Sequence, residues 1–238
     1  MPLDTKDTLI TYTATPTLQA FHASDNFHRG VRGPVGSGKS TAMSMELFRR
    51  ASSQQPSPDG KRRTRWVIIR NTYRELHDTT LKTWLDWFDE AIFGTFNRST
   101  MTHNIKVNDL DMEVLFRALD RPADVKKLLS LEITGAWVNE AREIPRAIVD
   151  ALSDRVGRYP ATRHGGPTWC GVIYDTNSPD DESWWYDLAE EKRPSNWDFF
   201  TQPPGVIEVD GEWLPNEKAE NVQNLPGGTD YYTRGCAD

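Results

Sequence analysis

The sequence predicts an α/β fold in which a mainly parallel sheet carries helices on both faces. Two observations support this prediction. Short apolar runs alternate with helical patterns through most of the chain, which is typical of sheets built from β–α–β units. In addition, a glycine-rich stretch from Gly33 to Ser40 joins a strand-like segment to a helical pattern, as expected where a strand turns into a helix.

The elements follow in order along the chain, with loops placed where proline and glycine cluster, as at Pro56, Pro58 and Gly60. Asn108 and Asp109 lie between two apolar runs and predict a hairpin. The predicted helices cover residues 16–26, the end of the glycine-rich stretch to 51, 72–93 with an interruption near 78–80, 123–131 and 145–152. The predicted strands cover residues 29–32, 65–70, 133–139 and 169–174, with hairpins over 105–116 and 206–214.

Composition limits the classes of protein to which the chain can belong. Its 238 residues suit one large α/β domain, which we predict over 16–215, with an extended lead-in over 1–15 and a polar linker over 216–238. No apolar run reaches membrane-spanning length, and two cysteines are too few for a disulfide framework. The net charge of -7 argues against constitutive tight nucleic-acid binding but leaves transient DNA contact open.

The glycine-rich stretch matches the phosphate-binding pattern G-x-x-x-x-G-K-[ST] at every fixed position. Its glycines allow backbone N–H groups to surround phosphate oxygens, and the following helix directs its positive end at them. Lys39 would reach the β- and γ-phosphates of ATP, and Ser40 would bind Mg²⁺. The alternative is a flexible Gly/Ser loop that fits the pattern by chance. The predicted nucleotide contacts are Gly33, Pro34, Val35, Gly36, Ser37, Gly38, Lys39, Ser40 and Thr41.

A second apolar strand pattern ends in Asn139 and Glu140. Hydrolytic P-loop enzymes with an additional strand usually end that strand in Asp-Glu, so the pattern favours a P-loop NTPase of the additional-strand, RecA-like type. Glu140 would then be the general base for the attacking water. Asn139 stands where an Asp would hold Mg²⁺ through water. Its amide can still contact a metal-bound water, so Asn139 and Ser40 are the candidate metal-site residues, but it brings no negative charge, and we expect Ser40 and the phosphates to hold most of the metal. The alternative for Glu140 is a carboxylate that stabilises the next helix N-terminus.

Three further groups of residues are weaker candidates. Thr176 and Asn177 follow a third strand pattern and could sense the γ-phosphate, although a plain turn before a proline is an equal alternative. Gln19 precedes the phosphate loop at the distance seen for an adenine-reading glutamine, but exposed glutamines are common. An ATPase also needs an arginine on the γ-phosphate, in cis or from a neighbouring subunit. The candidates are Arg117, Arg121 and Arg142, with solvated surface charges as the alternative.

Taken together, these motifs resemble those of the large terminase subunit of tailed bacteriophages. The resemblance covers about residues 16–232 and depends on an ordered series of segments: 32–40, 69–73, 115–120, 134–143, 154–160 and 219–226. It implies an ATPase domain that binds ATP and Mg²⁺, with Lys39 and Ser40 as phosphate and metal residues and Glu140 as the catalytic carboxylate. By the same resemblance, Gln19 is the adenine contact and Thr176-Asn177 the coupling motif. Asn139 departs from the commoner Asp of the family.

The resemblance further implies a motor that packages double-stranded DNA into a procapsid in the host cell cytoplasm. Its implied partners are a portal protein, a small terminase subunit and further copies of the chain in a ring, for which the family implies a pentamer. The family's nuclease domain would follow residue 238, so nuclease activity is not expected from this chain alone.

Other functional classes remain as alternatives. A nucleotide-gated assembly module with little intrinsic hydrolysis is the main one, and another P-loop phosphotransferase is the second. A GTPase would need an Asn-Lys-x-Asp motif, which the chain lacks, and a two-lobed helicase would need a longer chain.

Overall fold

Eight strands form one sheet in the computed structural model, which describes residues 10–233. Their order across the sheet is β3-β4-β5-β2-β6-β7-β1-β8, and β9 and β10 form a separate hairpin. The six strands from β5 to β8 in this order are parallel, and β3 and β4 add antiparallel edges. The strands are β1 (His28–Arg32), β2 (Arg62–Arg70), β3 (Gly94–Asn97), β4 (Thr102–Val107), β5 (Leu110–Ala118), β6 (Gly135–Asn139), β7 (Gly171–Thr176), β8 (Trp197–Thr201), β9 (Val206–Val209) and β10 (Glu212–Pro215).

Helices cover both faces of this sheet, as the sequence predicts. The α-helices are α1 (Pro16–Ala23), α2 (Lys39–Ser52), α3 (Tyr73–Glu75), α4 (Lys82–Trp87), α5 (Glu90–Phe93), α6 (Val125–Leu128), α7 (Arg146–Ser153) and α8 (Trp184–Tyr186). Two π-helical stretches, Leu76–Leu81 and Asp187–Lys192, follow α3 and α8. Short 3₁₀ turns are Pro122–Asp124, Ala141–Glu143, Thr162–His164, Val222–Asn224 and Gly228–Tyr231.

Two hydrophobic cores lie on opposite faces of the sheet. Alternate residues of β2 show the division: Ile68 packs with α1, α2 and α4, whereas Val67 and Ile69 pack with α7 and α8. Every residue of β6 and β7 is buried, as expected for central strands that are covered on both faces. The carboxyl ends of these strands therefore meet at one edge of a rigid sheet.

The region that follows β2 differs in detail from the predicted helix over 72–93. The backbone stays helical at 78–80, where a π-helical stretch replaces the predicted interruption. The chain breaks instead at Phe88, and the Asp89 side chain accepts a hydrogen bond from the Ala91 N–H and caps α5. Helix α1 is also shorter than predicted and ends at Ala23.

Strands β3 and β8 are absent from the sequence prediction. Both lie at edges of the sheet, where strands are half exposed and lack a continuous apolar run. Asp198 interrupts the apolar pattern of β8, and its carboxylate accepts hydrogen bonds from Ser24 and Asn26. Strand β7 also continues two residues past the predicted end, so that Asp175 lies inside the sheet.

The two ends of the described chain meet beside the phosphate loop. Residues 10–15 form neither helix nor strand, and Thr15 donates a hydrogen bond of 2.6 Å to Glu220. Residues 1–9 of the predicted lead-in and 234–238 of the predicted linker lie outside the described residues. The division into lead-in, domain and linker stays a prediction.

Within residues 10–233, no helix has the length and apolar character needed to cross a membrane.

Candidate functional site

The phosphate-binding pattern forms the loop between β1 and α2. Gly36 and Gly38 have φ values of 78° and 86°, a left-handed conformation that glycine adopts without the strain a Cβ would add. The 14-residue helix α2 begins at Lys39, so its positive end lies at the loop. The local fold is therefore the one that the pattern predicts.

Lys39 is buried at the start of α2, with 6% of its surface exposed. Its Nζ donates to the carbonyl oxygens of Gly33 and Pro34, both at 2.7 Å, and to Oδ1 of Asn177 at 3.1 Å. Within residues 10–233, no carboxylate lies within 4 Å of it, so only neutral acceptors hold this cation. Burial lowers the pKa of Lys39, and the charges of Asp175 and Glu140 partly oppose that shift. The site thus presents a buried ammonium group suited to an anion.

Glu140 follows β6 and faces the same cavity as Lys39. Its backbone has φ 50° and ψ 57°, a left-handed conformation that costs a non-glycine residue of order 1 kcal/mol. Asn177 donates to both carboxylate oxygens, from its amide side chain at 3.1 Å and its backbone N–H at 3.2 Å. Burial and the nearby charge of Asp175 raise the pKa of Glu140. A carboxylate with a raised pKa is better matched to proton transfer near neutral pH than an exposed one.

Asn177 joins the two charged groups, because its side chain binds Lys39 through oxygen and Glu140 through nitrogen. Asn177 thus contacts both groups, and its coupling role stays a prediction. Thr176 lies within β7, and its buried Oγ1 has no hydrogen-bond partner among the described residues. Its carbonyl accepts from the Gly33 N–H at 3.2 Å, so its contact with the loop is through the backbone.

Ser40 and Asn139 meet at a carboxylate absent from the predicted site. Ser40 Oγ lies 3.3 Å from Oδ2 of Asp175, and the Asn139 amide donates to both oxygens of Asp175 at 3.0 Å. The carbonyl oxygen of Asn139 accepts from Thr80 at 2.7 Å. The geometry therefore gives no support to Asn139 as a metal ligand, because its oxygen is engaged and its NH₂ group faces Asp175.

Two cavities lie along the loop. One of about 310 Å³ holds Lys39, Ser40, Glu140 and Asn177 in its lining. A larger one of about 570 Å³ adjoins it and shares Gly38, Thr41 and Asn221. The remaining lining residues of the larger cavity are Thr11, Tyr12, Thr13, Thr15, Leu18, Trp87, Gln223 and Asn224.

The predicted adenine contact does not lie in either of these cavities. Gln19 lines a separate cavity with Met45 and Phe48, and its amide donates to the Ala14 carbonyl at 2.8 Å. The spacing to the loop places Gln19 on α1, but the bond to the residue 14 carbonyl turns it away from the loop. Gln19 therefore lines neither cavity beside the loop in this structure, and its role as the adenine contact stays a prediction.

None of the three predicted arginines lines the cavity of Lys39 within the described chain. Arg117 donates to the carbonyl oxygens of Thr100 and Met101 in the β-hairpin region. Arg121 is exposed, and Arg142 donates to the Ser178 carbonyl at 2.8 Å. The structure brings none of them to the loop of its own chain.

The phosphate loop is also held by residues that the sequence analysis assigns to no role. The Gln202 amide donates to the Ser37 carbonyl at 3.0 Å and accepts from the Ser37 hydroxyl at 2.6 Å. Asn221 donates to the Gly36 carbonyl at 2.8 Å. These contacts join segments far apart in the sequence: Gln202 lies in no predicted motif, and Asn221 lies in segment 219–226, for which no contact with the loop is predicted. For Asp175, in contrast, a signal exists: it is a carboxylate at the end of the strand pattern that follows that of Asn139.

A protein family model matches the chain over most of its length. The family model described as "Terminase large subunit, T4likevirus-type, N-terminal" matches residues 31–225. No curated protein matches the chain.

Solved structures with the same fold include three large terminases. The large terminase of a thermophilic bacteriophage has a TM-score of 0.61 at 11% identity, over 80% of this chain and 46% of that one. The HK97 bacteriophage large terminase has a TM-score of 0.58 at 11% identity, over 84% and 41%. The ATPase domain of the Thermus phage P74-26 large terminase has a TM-score of 0.51 at 17% identity, over 80% and 81%.

The chain thus spans less than half the length of the first two of these proteins. The first of them, from the thermophilic bacteriophage, has also been solved with ADP and with ATP-gamma-S. The likenesses confirm the predicted fold class, a mainly parallel RecA-like P-loop fold with helices on both faces.

Proposed function

The chain belongs to the terminase large-subunit family, and on that premise we propose that it is an ATP-hydrolysing motor domain for packaging double-stranded DNA. The observation that carries the ATPase assignment is the pair of Lys39 and Glu140. One is a buried cation without a contacting carboxylate, the other a half-buried carboxylate with a raised pKa, and Asn177 joins them.

The donor set fits the triphosphate of a nucleotide and a hard divalent cation. Lys39 and the start of α2 would neutralise phosphate oxygens, and the adjoining 570 Å³ cavity has room for a nucleoside. Ser40 offers the hydroxyl oxygen that Mg²⁺ prefers as a ligand. When bound, Mg²⁺ supplies positive charge to the β- and γ-phosphate oxygens.

Glu140 would accept the proton of the attacking water, since its raised pKa brings it closer to neutral pH. Asn177 holds this carboxylate in place by two hydrogen bonds and contacts Lys39 at the same time. A change at the phosphates that moves Lys39 would therefore also move Glu140. This linkage supports the predicted coupling role of Asn177.

The cavity contains no arginine from the described chain, which supports a finger lent by a neighbouring subunit. A ring of identical chains, built on a portal and supplied with DNA by a small terminase subunit, would provide such a neighbour. Because one trans arginine is worth on the order of 10³–10⁵ in rate, the isolated chain should bind ATP but hydrolyse it slowly. The same observation favours the second candidate function, a nucleotide-gated assembly module with little hydrolysis of its own.

ATP turnover at low and high protein concentration, with and without double-stranded DNA, tests the proposal. We expect specific activity to rise with concentration and to vanish in Lys39→Ala. Mixing Glu140→Gln with an Arg117→Ala, Arg121→Ala or Arg142→Ala variant should recover turnover where that arginine acts in trans. Unchanged hydrolysis in Lys39→Ala would refute the site. ATP binding without turnover under all conditions would identify the assembly module instead.

A further inference from the structure

The end of β6 carries a neutral amide at the position where P-loop NTPases hold Mg²⁺ with a carboxylate. The structure places a carboxylate directly beside it, because Asn139 and Asp175 are partners in the register of β6 and β7. Adjacent strands lie roughly 5 Å apart. Exchanging the residues at two register partners therefore moves a negative charge to the neighbouring strand, at the same level along the strand direction.

Asp175 is fully buried, and the groups that donate to it are neutral. The Trp137 indole N–H donates at 2.6 Å, and the Asn139 amide at 3.0 Å to each oxygen. Within residues 10–233, no Lys, Arg or His nitrogen lies within 4 Å of this carboxylate. Buried charges in proteins are normally paired with an opposite charge or with a metal ion. The surroundings of Asp175 therefore favour a cation that the protein chain does not itself provide.

The carboxylate lies directly behind the hydroxyl that faces the phosphates. Ser40 lines the cavity and its Oγ is 3.3 Å from Asp175, whereas Asp175 is absent from the cavity lining. Asp175 would thus act on a cation through the Ser40 hydroxyl. Thr80 fixes the orientation of this arrangement, since its hydrogen bond to the Asn139 oxygen directs the Asn139 NH₂ group at Asp175.

We propose that Asp175, held by Asn139 and Trp137, supplies the negative charge of the divalent cation site, in place of the residue at position 139. The inference rests on the proposed nucleotide-binding function and deepens it. Asn139 then positions Asp175, and the carboxylate of the cation site lies on β7 instead of β6.

The test is Mn²⁺ binding in the presence of saturating ADP, measured by electron paramagnetic resonance. Asp175→Asn keeps the shape of the side chain but removes its charge. Changes at groups that orient a metal's ligands typically cost 10–100-fold in metal affinity. We expect a loss of Mn²⁺ affinity of about that size, with metal-free ADP affinity within about twofold of the wild type.

A variant with the two residues exchanged, Asn139→Asp with Asp175→Asn, places one carboxylate at position 139, at the same level of the sheet as Asp175 in the wild type. It also keeps an amide opposite a carboxylate, so it tests the proposal even if Asp175→Asn folds poorly by circular dichroism. We expect the exchanged variant to bind Mn²⁺ more tightly than Asp175→Asn. Wild-type Mn²⁺ affinity in folded Asp175→Asn, or a folded exchanged variant that binds no better, would overturn the inference. Failure of the wild type to bind ADP would instead overturn the proposed function.

Discussion

Helix α2 carries two buried ionic sites of opposite design, one at its first residue and one two turns later. At the second site, Glu46 is 1% exposed and binds three arginines and His22 at 2.7–2.9 Å. Arg29, itself fully buried, packs over the Phe21 and Trp169 rings. At the first site, Lys39 and Glu140 have no oppositely charged contact among the described residues and share only the neutral Asn177.

The pKa directions of the two carboxylates express the same difference. Burial alone would raise both, but hydrogen bonds from His22 and Arg49 and the charge of Arg29 hold the pKa of Glu46 well below its usual range. Burial and Asp175 raise the pKa of Glu140. A saturated cluster ties α1, β1 and α2 together, whereas an unsaturated one retains the capacity to bind and to exchange protons. In this protein, burial of charge alone does not distinguish the candidate site from the Glu46 cluster, whereas the lack of a contacting counter-charge does.

The largest expected effect is the loss of the proton acceptor at the unsaturated site. Glu140→Gln should lower the rate of ATP hydrolysis by roughly 10²–10⁴, because the amide keeps the shape but cannot take a proton. Nucleotide binding, measured by calorimetry, and the melting temperature should change little. Parallel loss of binding and turnover would show instead that Glu140 holds the site together.

At the saturated site, the expected effect is on stability. Glu46→Gln should reduce the free energy of unfolding by about 3–5 kcal/mol, because it leaves buried arginines without their counter-charge. Urea denaturation measures this loss. The control is Asp59→Asn, which removes an exposed carboxylate paired with Arg63 and should leave the unfolding midpoint nearly unchanged. Equal effects of the two variants would remove the distinction drawn for Glu46.

The smallest expected effect is a difference in pH dependence between ATP hydrolysis, which depends on Glu140, and stability, which depends on Glu46. Hydrolysis should fall about tenfold per pH unit once the pH drops below the raised pKa of Glu140, since the base is then protonated. The depressed pKa of Glu46 contributes stability that is present above the ordinary glutamate pKa and is lost only as the pH falls from there toward its folded-state value.

In mildly acid buffer the enzyme should therefore lose activity while its melting temperature holds. The control is the residual turnover of Glu140→Gln, which should lack this acid limb. A melting temperature that falls together with activity would attribute the loss to unfolding instead.

Much of the fold follows from sequence because the central strands are buried on both faces. β2, β6 and β7 therefore carry apolar runs that local pattern can detect, whereas β1 (His28–Arg32) is marked instead by the glycine-rich stretch that follows it. The edge strand β8 lacks such a run, since its Asp198 satisfies partners from the α1–β1 connection. Periodicity likewise does not predict the π-helical stretch after α3, where Thr80 makes a tertiary hydrogen bond to Asn139.

The candidate site divides in the same way. Lys39, Glu140 and Asn177 can be brought together from sequence, because each follows a parallel strand at the same edge of the sheet. Asp175 is visible in the sequence as a carboxylate at a strand end, but its pairing with Asn139 depends on the register of β6 and β7, which local sequence does not give. The orientation of the Gln19 side chain depends on one hydrogen bond to the Ala14 carbonyl, which spacing in the sequence does not predict.

The grip of Asn221 and Gln202 on the phosphate loop has a mechanical consequence. Two successive carbonyl groups, of Gly36 and Ser37, are tied to parts of the chain that come long after the loop. Tension along the backbone near residue 221 would reach the loop at Gly36 through Asn221, and at Ser37 through Glu220 and Gln202. The loop is thereby mechanically coupled to that later segment. The strength of this coupling is set by hydrogen bonds of about 1 kcal/mol each rather than by covalent bonds. A force on that later segment would therefore act on the same loop that would bind phosphate.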